Sequence, residues 1–159
     1  MRILVISDTH GKTNNYFDVL DKTAPIDMVI HCGDIGSSEH AITQESTCPV
    51  YCVSGNNDFF SKLPKELDLS IGKYKVWVTH GHYYGVQFDD QTIKDEAISR
   101  KADIVMYGHS HRPLIDIVDE LIVINPGSIS YPRQEGKRPS YILMEIDRFG
   151  EAHFTINYL

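Results

Sequence analysis

Met1-Arg2-Ile3-Leu4-Val5-Ile6-Ser7-Asp8-Thr9-His10-Gly11 is the stretch on which the fold turns. Four aliphatic residues in succession, with no polar residue between them, read as a strand buried on both faces. The run then breaks into a polar segment carrying a carboxylate and an imidazole. The same phrase recurs along the chain. Met28 to Ile30 leads to Gly33-Asp34, Val50 to Val53 to Gly55-Asn56-Asn57-Asp58, Val76 to Val78 to His80-Gly81-His82, and Ile104 to Met106 to Gly108-His109-Ser110-His111.

Helical spacing separates the early runs: Phe17 and Leu20 lie within Asn15 to Lys22, and Ile93 and Ala97 within Thr92 to Arg100. Strand and helix in alternation predict crossover units and a largely parallel sheet. Later, Leu121 to Ile124, Tyr141 to Ile146 and Ala152 to Ile156 follow one another across the turns Asn125-Pro126-Gly127 and Arg148-Phe149-Gly150. These predict mostly antiparallel strands. An α/β protein with two sheets face to face and helices outside accommodates both halves.

At 159 residues the chain has the size of one domain, spanning 1–159. Its 42% hydrophobic and 23% charged residues are ordinary for a folded globular chain. The opening apolar run is too short for a secretory signal, and no run reaches membrane-spanning length. Three cysteines, Cys32, Cys48 and Cys52, make no C-x-x-C pair, so a reducing cytoplasm is the expected compartment. The net charge of -7 disfavours a general grip on nucleic acid. Two bound divalent cations would bring it to -3 and concentrate positive charge at one point.

Strand ends converge on one edge of an α/β sheet, so the five polar clusters can meet. Residues two apart on an extended segment point the same way, which would aim Asp8 with His10, and His109 with His111, at one place. Two carboxylates, four imidazoles and one amide oxygen are enough for two metal ions, provided one carboxylate bridges. Glycine-flanked polar residues also cap turns, but turns do not require imidazole at four places.

This set resembles the calcineurin-like metallophosphoesterase superfamily: D-x-H, then G-D, then G-N-H-[DE], then a lone His before Gly, then G-H-x-H, all in order over residues 8 to 111. The short chain and Asn125-Pro126-Gly127-Ser128 are similar to its single-domain prokaryotic phosphodiesterase (YfcE-type) branch. The resemblance implies a four-layer α/β/β/α sandwich of two mixed sheets with flanking helices. It implies Asp8, His10 and His111 at one metal, Asn56, His80 and His109 at the other, and Asp34 bridging. It further implies hydrolysis of a small phosphate ester by a hydroxide held between the two ions. Such mixed ligands suit manganese, the first expectation, or iron, zinc, cobalt or nickel, rather than calcium.

One position departs from the pattern. Asn57 stands where much of the superfamily has a histidine that helps protonate the leaving group, and an amide cannot do so near neutral pH. His82 is the nearest substitute, as a substrate-facing or a supporting histidine. Asp58 is read as orienting a ligand or loop, His31 as structural, His40 and His153 as surface residues, and Cys32 as core filling. Ser128 and Arg133 are placed near the site by the resemblance, with Arg133 either a phosphate grip or a surface charge. Tyr83 and Tyr84 either wall the pocket or join the core.

A phosphodiesterase is therefore the first functional expectation. The alternative from another class is a protein-binding scaffold on the same fold, like the retromer subunit of this superfamily. A nuclease is weakened by the acidic balance and by the lack of a basic stretch with interleaved aromatics. Self-association into a homo-oligomer is left open.

Overall fold

The computed structural model describes all 159 residues. The opening run forms strand β1 (Arg2–Ile6), buried on both faces because its alternate side chains serve two cores. Ile3 and Val5 face the space between the two sheets, whereas Leu4 and Ile6 face helix α1 (Asn14–Thr23). In α1 the buried residues are Tyr16, Val19, Leu20 and Thr23, the i, i+3, i+4, i+7 stripe of a helix lying on a sheet. Phe17, singled out in the sequence, lies at the edge of that contact.

Beside β1 run β2 (Met28–His31) and β3 (Val50–Cys52), both parallel to it, with the short helix α2 (Glu39–Glu45) between them. Strands β9 (Ser140–Ile146) and β10 (Ala152–Tyr158) complete this sheet antiparallel, in the order β10-β9-β1-β2-β3.

The second sheet contains β4 (Glu66–Ile71), β5 (Tyr74–Thr79), β6 (Ile104–Met106), β7 (Pro113–Val118) and β8 (Leu121–Pro126), in the order β4-β5-β6-β8-β7. Helix α3 (Gln91–Ser99) lays Ile93 and Ala97 on its outer face against Trp77, Val105 and Val123. The central core joins both sheets through Ile3, Val5, Ile30, Val76, Val78, Ile104, Met106, Ile124, Ile142 and Met144. The layers are thus helix, sheet, sheet, helix, as expected.

The expectation for the last third is half met. Strands β9 and β10 are antiparallel, but β8 pairs parallel with β6, with Ile104 opposite Ile122. The reason is β7, a strand the aliphatic runs did not reveal. It takes the sheet edge and returns through a tight turn, which inserts β8 between itself and β6.

Candidate metal centre

The parallel strands β1, β2, β3, β5 and β6 all end on one side of the sandwich, and each polar cluster leaves from such an end. The local backbone differs from the extended form expected. Asp8, His10, Asp34, His109 and His111 all have positive φ, between 46° and 66°. Such residues cost energy unless their surroundings hold them, and they cluster at functional sites. Here the amides of Asp8, His10 and Gly11 donate to the carbonyls of Gly33, Asp34 and Ile35, carrying the β1–β2 pairing past the strand ends. Both pairs still aim inward, through left-handed turns rather than alternation.

Two glycines make room for the charged groups. At Gly33, with φ of 96°, a Cβ would lie 2.6 Å from Nδ1 of His80. A Cβ at Gly55 would collide with Oδ1 and the backbone nitrogen of Asp34.

Asp8 is fully buried, and its Oδ2 accepts the amide of His109 at 3.2 Å. Its Oδ1 lies 3.1 Å from Nε2 of His111 and 3.8 Å from Nε2 of His10, yet receives no aligned hydrogen bond. Oδ2 of Asp34 lies 3.6 Å from Nε2 of His10 and 3.5 Å from Nε2 of His80, with one histidine from each expected metal set on either side. Burial alone would raise both carboxyl pKa values. The close rings of His111 and His80 lower that of Asp8, and His80 with both Asn57 N–H groups holds Asp34 well below the usual range.

The imidazoles are oriented by backbone carbonyls. Nδ1 of His80 donates to the carbonyl of Cys32 at 2.7 Å, and Nδ1 of His111 to that of Tyr131 at 2.6 Å. In each neutral ring this leaves the Nε2 lone pair facing inward, the arrangement that backbone carbonyls impose on metal-binding histidines. The His80 lone pair meets Oδ1 of Asn56 at 3.1 Å, and that of His111 meets Nε2 of His10 at 3.4 Å. At His80 a lone pair so placed faces an amide oxygen, a pairing that a cation between them relieves, whereas at His111 an Nε2–H of His10 can donate. Burial disfavours charge on His80, but Asp34 and Asp8 outweigh it and raise its pKa.

Two donor groups suit a metal ion, Asp8 with His10 and His111, and Asp8 with Asp34 and His80, each with ligand atoms within 4.8 Å of one another. Asp8 is common to both. Asn56 joins through His80. His109 stands just outside, its ring edge-on to His80 at 5.1 Å, with burial and the neighbouring His80 lowering its pKa. A set of imidazoles, carboxylates and an amide fits borderline divalent ions.

Around this centre, Asn57 donates its side-chain amide to Asp34, and Asp58 turns away. The Asp58 carboxylate accepts the amides of Ile35, Gly36 and Gly55, fastening two donor loops together. The ring of His82 stacks on Tyr83 at 3.9 Å and sits 5.3 Å from His80; burial and the adjacent His80 and His109 lower its pKa to about 4. His31 is buried and bonded to Thr9, whereas His40 and His153 are exposed. Tyr84 packs edge-on against Trp77 in the core, and Tyr83 is exposed. Ser128 is buried, its hydroxyl donating to the Asp8 carbonyl and accepting the Tyr131 amide. The side chain of Arg133 is exposed, and its backbone amide holds the His111 carbonyl.

Tyr131 and the Cys32 carbonyl were not legible in the sequence. A backbone acceptor leaves no trace in residue type. Tyr131 also sets its ring edge-on against His10, with Lys12 over its face at 4.2 Å.

The model of the calcineurin-like phosphoesterase superfamily domain matches residues 1–148. A probable metallophosphoesterase of Bacillus subtilis is 34% identical over 148 residues, covering 92% of this chain and 85% of the relative. A phosphodiesterase of Methanocaldococcus jannaschii is 30% identical over 145 residues, covering 80% and 83%. The crystal structure of a conserved Streptococcus pneumoniae TIGR4 protein superposes with a TM-score of 0.82 at 31% identity, covering 99% of this chain and 88% of that one. That of a single mutant of Vps29 from Entamoeba histolytica gives 0.80 at 23% identity over 100% and 99%, a likeness of fold.

Proposed function

Because this chain belongs to the calcineurin-like phosphoesterase superfamily, we propose that it is a metal-dependent phosphodiesterase, holding two divalent ions among Asp8, His10, Asp34, Asn56, His80, His109 and His111. The observation that carries this reading is the convergence of Nε2 of His80 and of His111 on Asp8, Asp34, Asn56 and His10, within two groups of ligand atoms close enough together to hold metal ions. Two such ions supply activation of water and compensation of phosphoryl charge.

The chain's own residues do the rest. Asp8 and Asp34 fix the ions and cancel only two of their four charges, so the pocket attracts anions inside an acidic protein. The Cys32 and Tyr131 carbonyls fix the ring tautomers, and Asn57 orients Asp34. The complete donor set favours chemistry over a purely scaffolding role, which would not require it. The relative named a phosphodiesterase supports a diester substrate. Manganese is the ion we place there first. Three free cysteines support a reducing compartment, and no helix is long and apolar enough to cross a membrane.

The test is metal-stripped protein assayed on bis(p-nitrophenyl) phosphate and on p-nitrophenyl phosphate, with manganese, iron, zinc, cobalt and nickel restored in turn. The expected result is diester hydrolysis restored best by manganese, with little monoester hydrolysis. Absence of diester turnover with every ion would overturn the reading.

A further inference from the structure

Of the three histidines grouped with Asp8 and Asp34, two owe their direction to a backbone carbonyl, that of Cys32 for His80 and that of Tyr131 for His111. His10 does not. Its one side-chain hydrogen bond within the protein joins its Nε2 to Nε2 of His111 at 3.4 Å, inside the donor set itself, so no carbonyl fixes its Nδ1. It is also the least covered of the three, its side chain 24% exposed against 0% for His80 and 4% for His111. A metal-binding imidazole ordinarily has its orientation fixed by an acceptor at its second nitrogen, so for His10 another contact has to supply the direction.

The group that stands against His10 is the ring of Tyr131. The two rings meet edge-on, with centroids 5.4 Å apart and planes at 86°, the arrangement and distance at which aromatic pairs attract. Tyr131 can hold His10 only if it is itself held. Its amide donates to Oγ of Ser128 at 2.7 Å, and that hydroxyl donates to the Asp8 carbonyl at 2.8 Å. Between them, the Ile129 amide donates to the Ser7 carbonyl at 3.2 Å, and the Asn15 side-chain amide to the Ile129 carbonyl at 2.7 Å. The ring is covered on its face by the ammonium group of Lys12, 4.2 Å from its centre and two residues past His10, within the reach of a cation–π contact. Residues 128–131 are thus fastened to residues 7–15 along their length.

We infer that Tyr131 is the positioning residue of the Asp8, His10 and His111 donor group, its ring doing for His10 what a carbonyl does for the other two imidazoles. Each part of the residue serves a different donor: the carbonyl holds His111, the amide reaches the Asp8 backbone through Ser128, and the ring sets His10. A side-chain substitution leaves the carbonyl and amide in place, so the share of the ring can be measured by itself. The edge-on contact restricts the swing of His10 before an ion arrives, and a ligand already in place loses less freedom when it binds. Without the ring, His10 must be ordered by the ion, which lowers the affinity of that ion. The group formed by Asp8, Asp34 and His80 takes its imidazole direction from Cys32 and keeps its affinity.

This inference rests on the two-ion reading above, and its test separates the two. Metal-stripped wild type, Tyr131→Phe, Tyr131→Ala and His10→Ala are titrated with cobalt, followed by calorimetry and by the visible absorption of the bound ion. The binding step that His10→Ala removes identifies the ion of this group. Tyr131→Ala is expected to weaken that step about three- to tenfold, the size of one aromatic contact, and to leave the other step unchanged. Tyr131→Phe, which keeps the ring, retains the wild-type affinity at both. The Tyr131 side chain lies at the surface, 43% exposed, so its truncation leaves the cores intact, which circular dichroism checks. Wild-type affinity of Tyr131→Ala at both steps, an equal loss at both, or a loss shared by Tyr131→Phe overturns the assignment. Wild type with no step sensitive to His10→Ala overturns the assignment and the two-ion reading together. The expected loss in Tyr131→Ala, without diester turnover by wild type under any ion, overturns the proposed function and leaves Tyr131 in its role.

Discussion

The side-chain amide of Asn57 donates to Oδ2 of Asp34 at 2.6 Å, while the Asn57 backbone N–H donates to Oδ1 of the same carboxylate at 2.8 Å. Both donors of one residue thus grip both oxygens of another. The consequence reaches beyond orientation: with its N–H groups committed to Asp34, Asn57 helps keep that carboxylate ionised and has no proton to offer a leaving group.

Asp34→Asn should abolish diester hydrolysis more completely than His10→Ala. Oδ2 of Asp34 faces Nε2 of both His10 and His80, so its loss removes charge compensation from both ions, whereas loss of His10 strikes one first. Turnover and metal content measured together decide this. Near wild-type turnover with two ions bound by Asp34→Asn would assign the bridge to another residue, and Asp8, common to both donor groups, would be the successor.

Asp58→Ala should act on stability rather than directly on metal binding. It strips acceptors from the amides of Ile35, Gly36 and Gly55, and orphaned partly buried donors cost roughly 1–3 kcal/mol each. Some water will reach them, so a total of about 3 kcal/mol and a fall in Tm of about 6–12 °C are expected. Loss of one ion per chain at unchanged Tm would make Asp58 a ligand instead of a clamp.

The metal-free protein should lose stability as pH falls from about 6.5 toward 4. Burial lowers the pKa of His31 to about 4, with Asp8 and Asp58 opposing it only in part. Between that value and the unfolded one near 6.5, the folded chain binds fewer protons, so acid favours unfolding. A shift of this size corresponds to about 3 kcal/mol. His80, whose pKa is raised, acts in the other direction and at higher pH: its contribution is present below about 6.5 and fades as pH rises through its folded value. Thermal melts in chelator from pH 6.5 to 4.5 should show the acid slope, flattened in His31→Gln. An unchanged slope in that variant would shift the cause to another group.

What could be read from residue order alone follows from how local each feature is. Ile3 to Ile6 and Ile104 to Met106 announce buried strands because every side chain is aliphatic, and Asp8 with His10 announces chemistry because little else places both types at a strand end. Edge strands β4 and β7 escaped because charge interrupts them, Asp68 between Leu67 and Leu69, and Asp116 between Ile115 and Ile117. Helix α2 escaped because Ile42 is its one buried residue. The positive φ angles at Asp8 and His10 are held by hydrogen bonds from their amides to the carbonyls of Gly33 and Asp34, partners that only the folded chain brings near. The same holds for the carbonyls of Cys32 and Tyr131, which decide what His80 and His111 can bind.

Leaving-group chemistry offers the sharpest test of the Asn57 departure. With the Asn57 amide engaged by Asp34 and the His82 pKa lowered to about 4, neither side chain holds a transferable proton near neutral pH. Turnover should therefore depend steeply on leaving-group pKa, with aryl diesters far ahead of alkyl ones, since a missing general acid forfeits about 10²- to 10⁴-fold. Asn57→His should flatten that dependence by placing an imidazole beside Asp34 and Asn56, and it should raise monoester hydrolysis. His82→Ala should leave the slope where it is. The rival assignment, in which His82 supplies the proton once metals are bound, requires the reverse: His82→Ala would slow alkyl esters most, and Asn57→His would change little. One series of diesters graded by leaving-group pKa, run on wild type and both variants, separates the two. If the slope is the same in all three proteins, leaving-group charge is carried by the metal ions alone, and the residue at position 57 has no part in it.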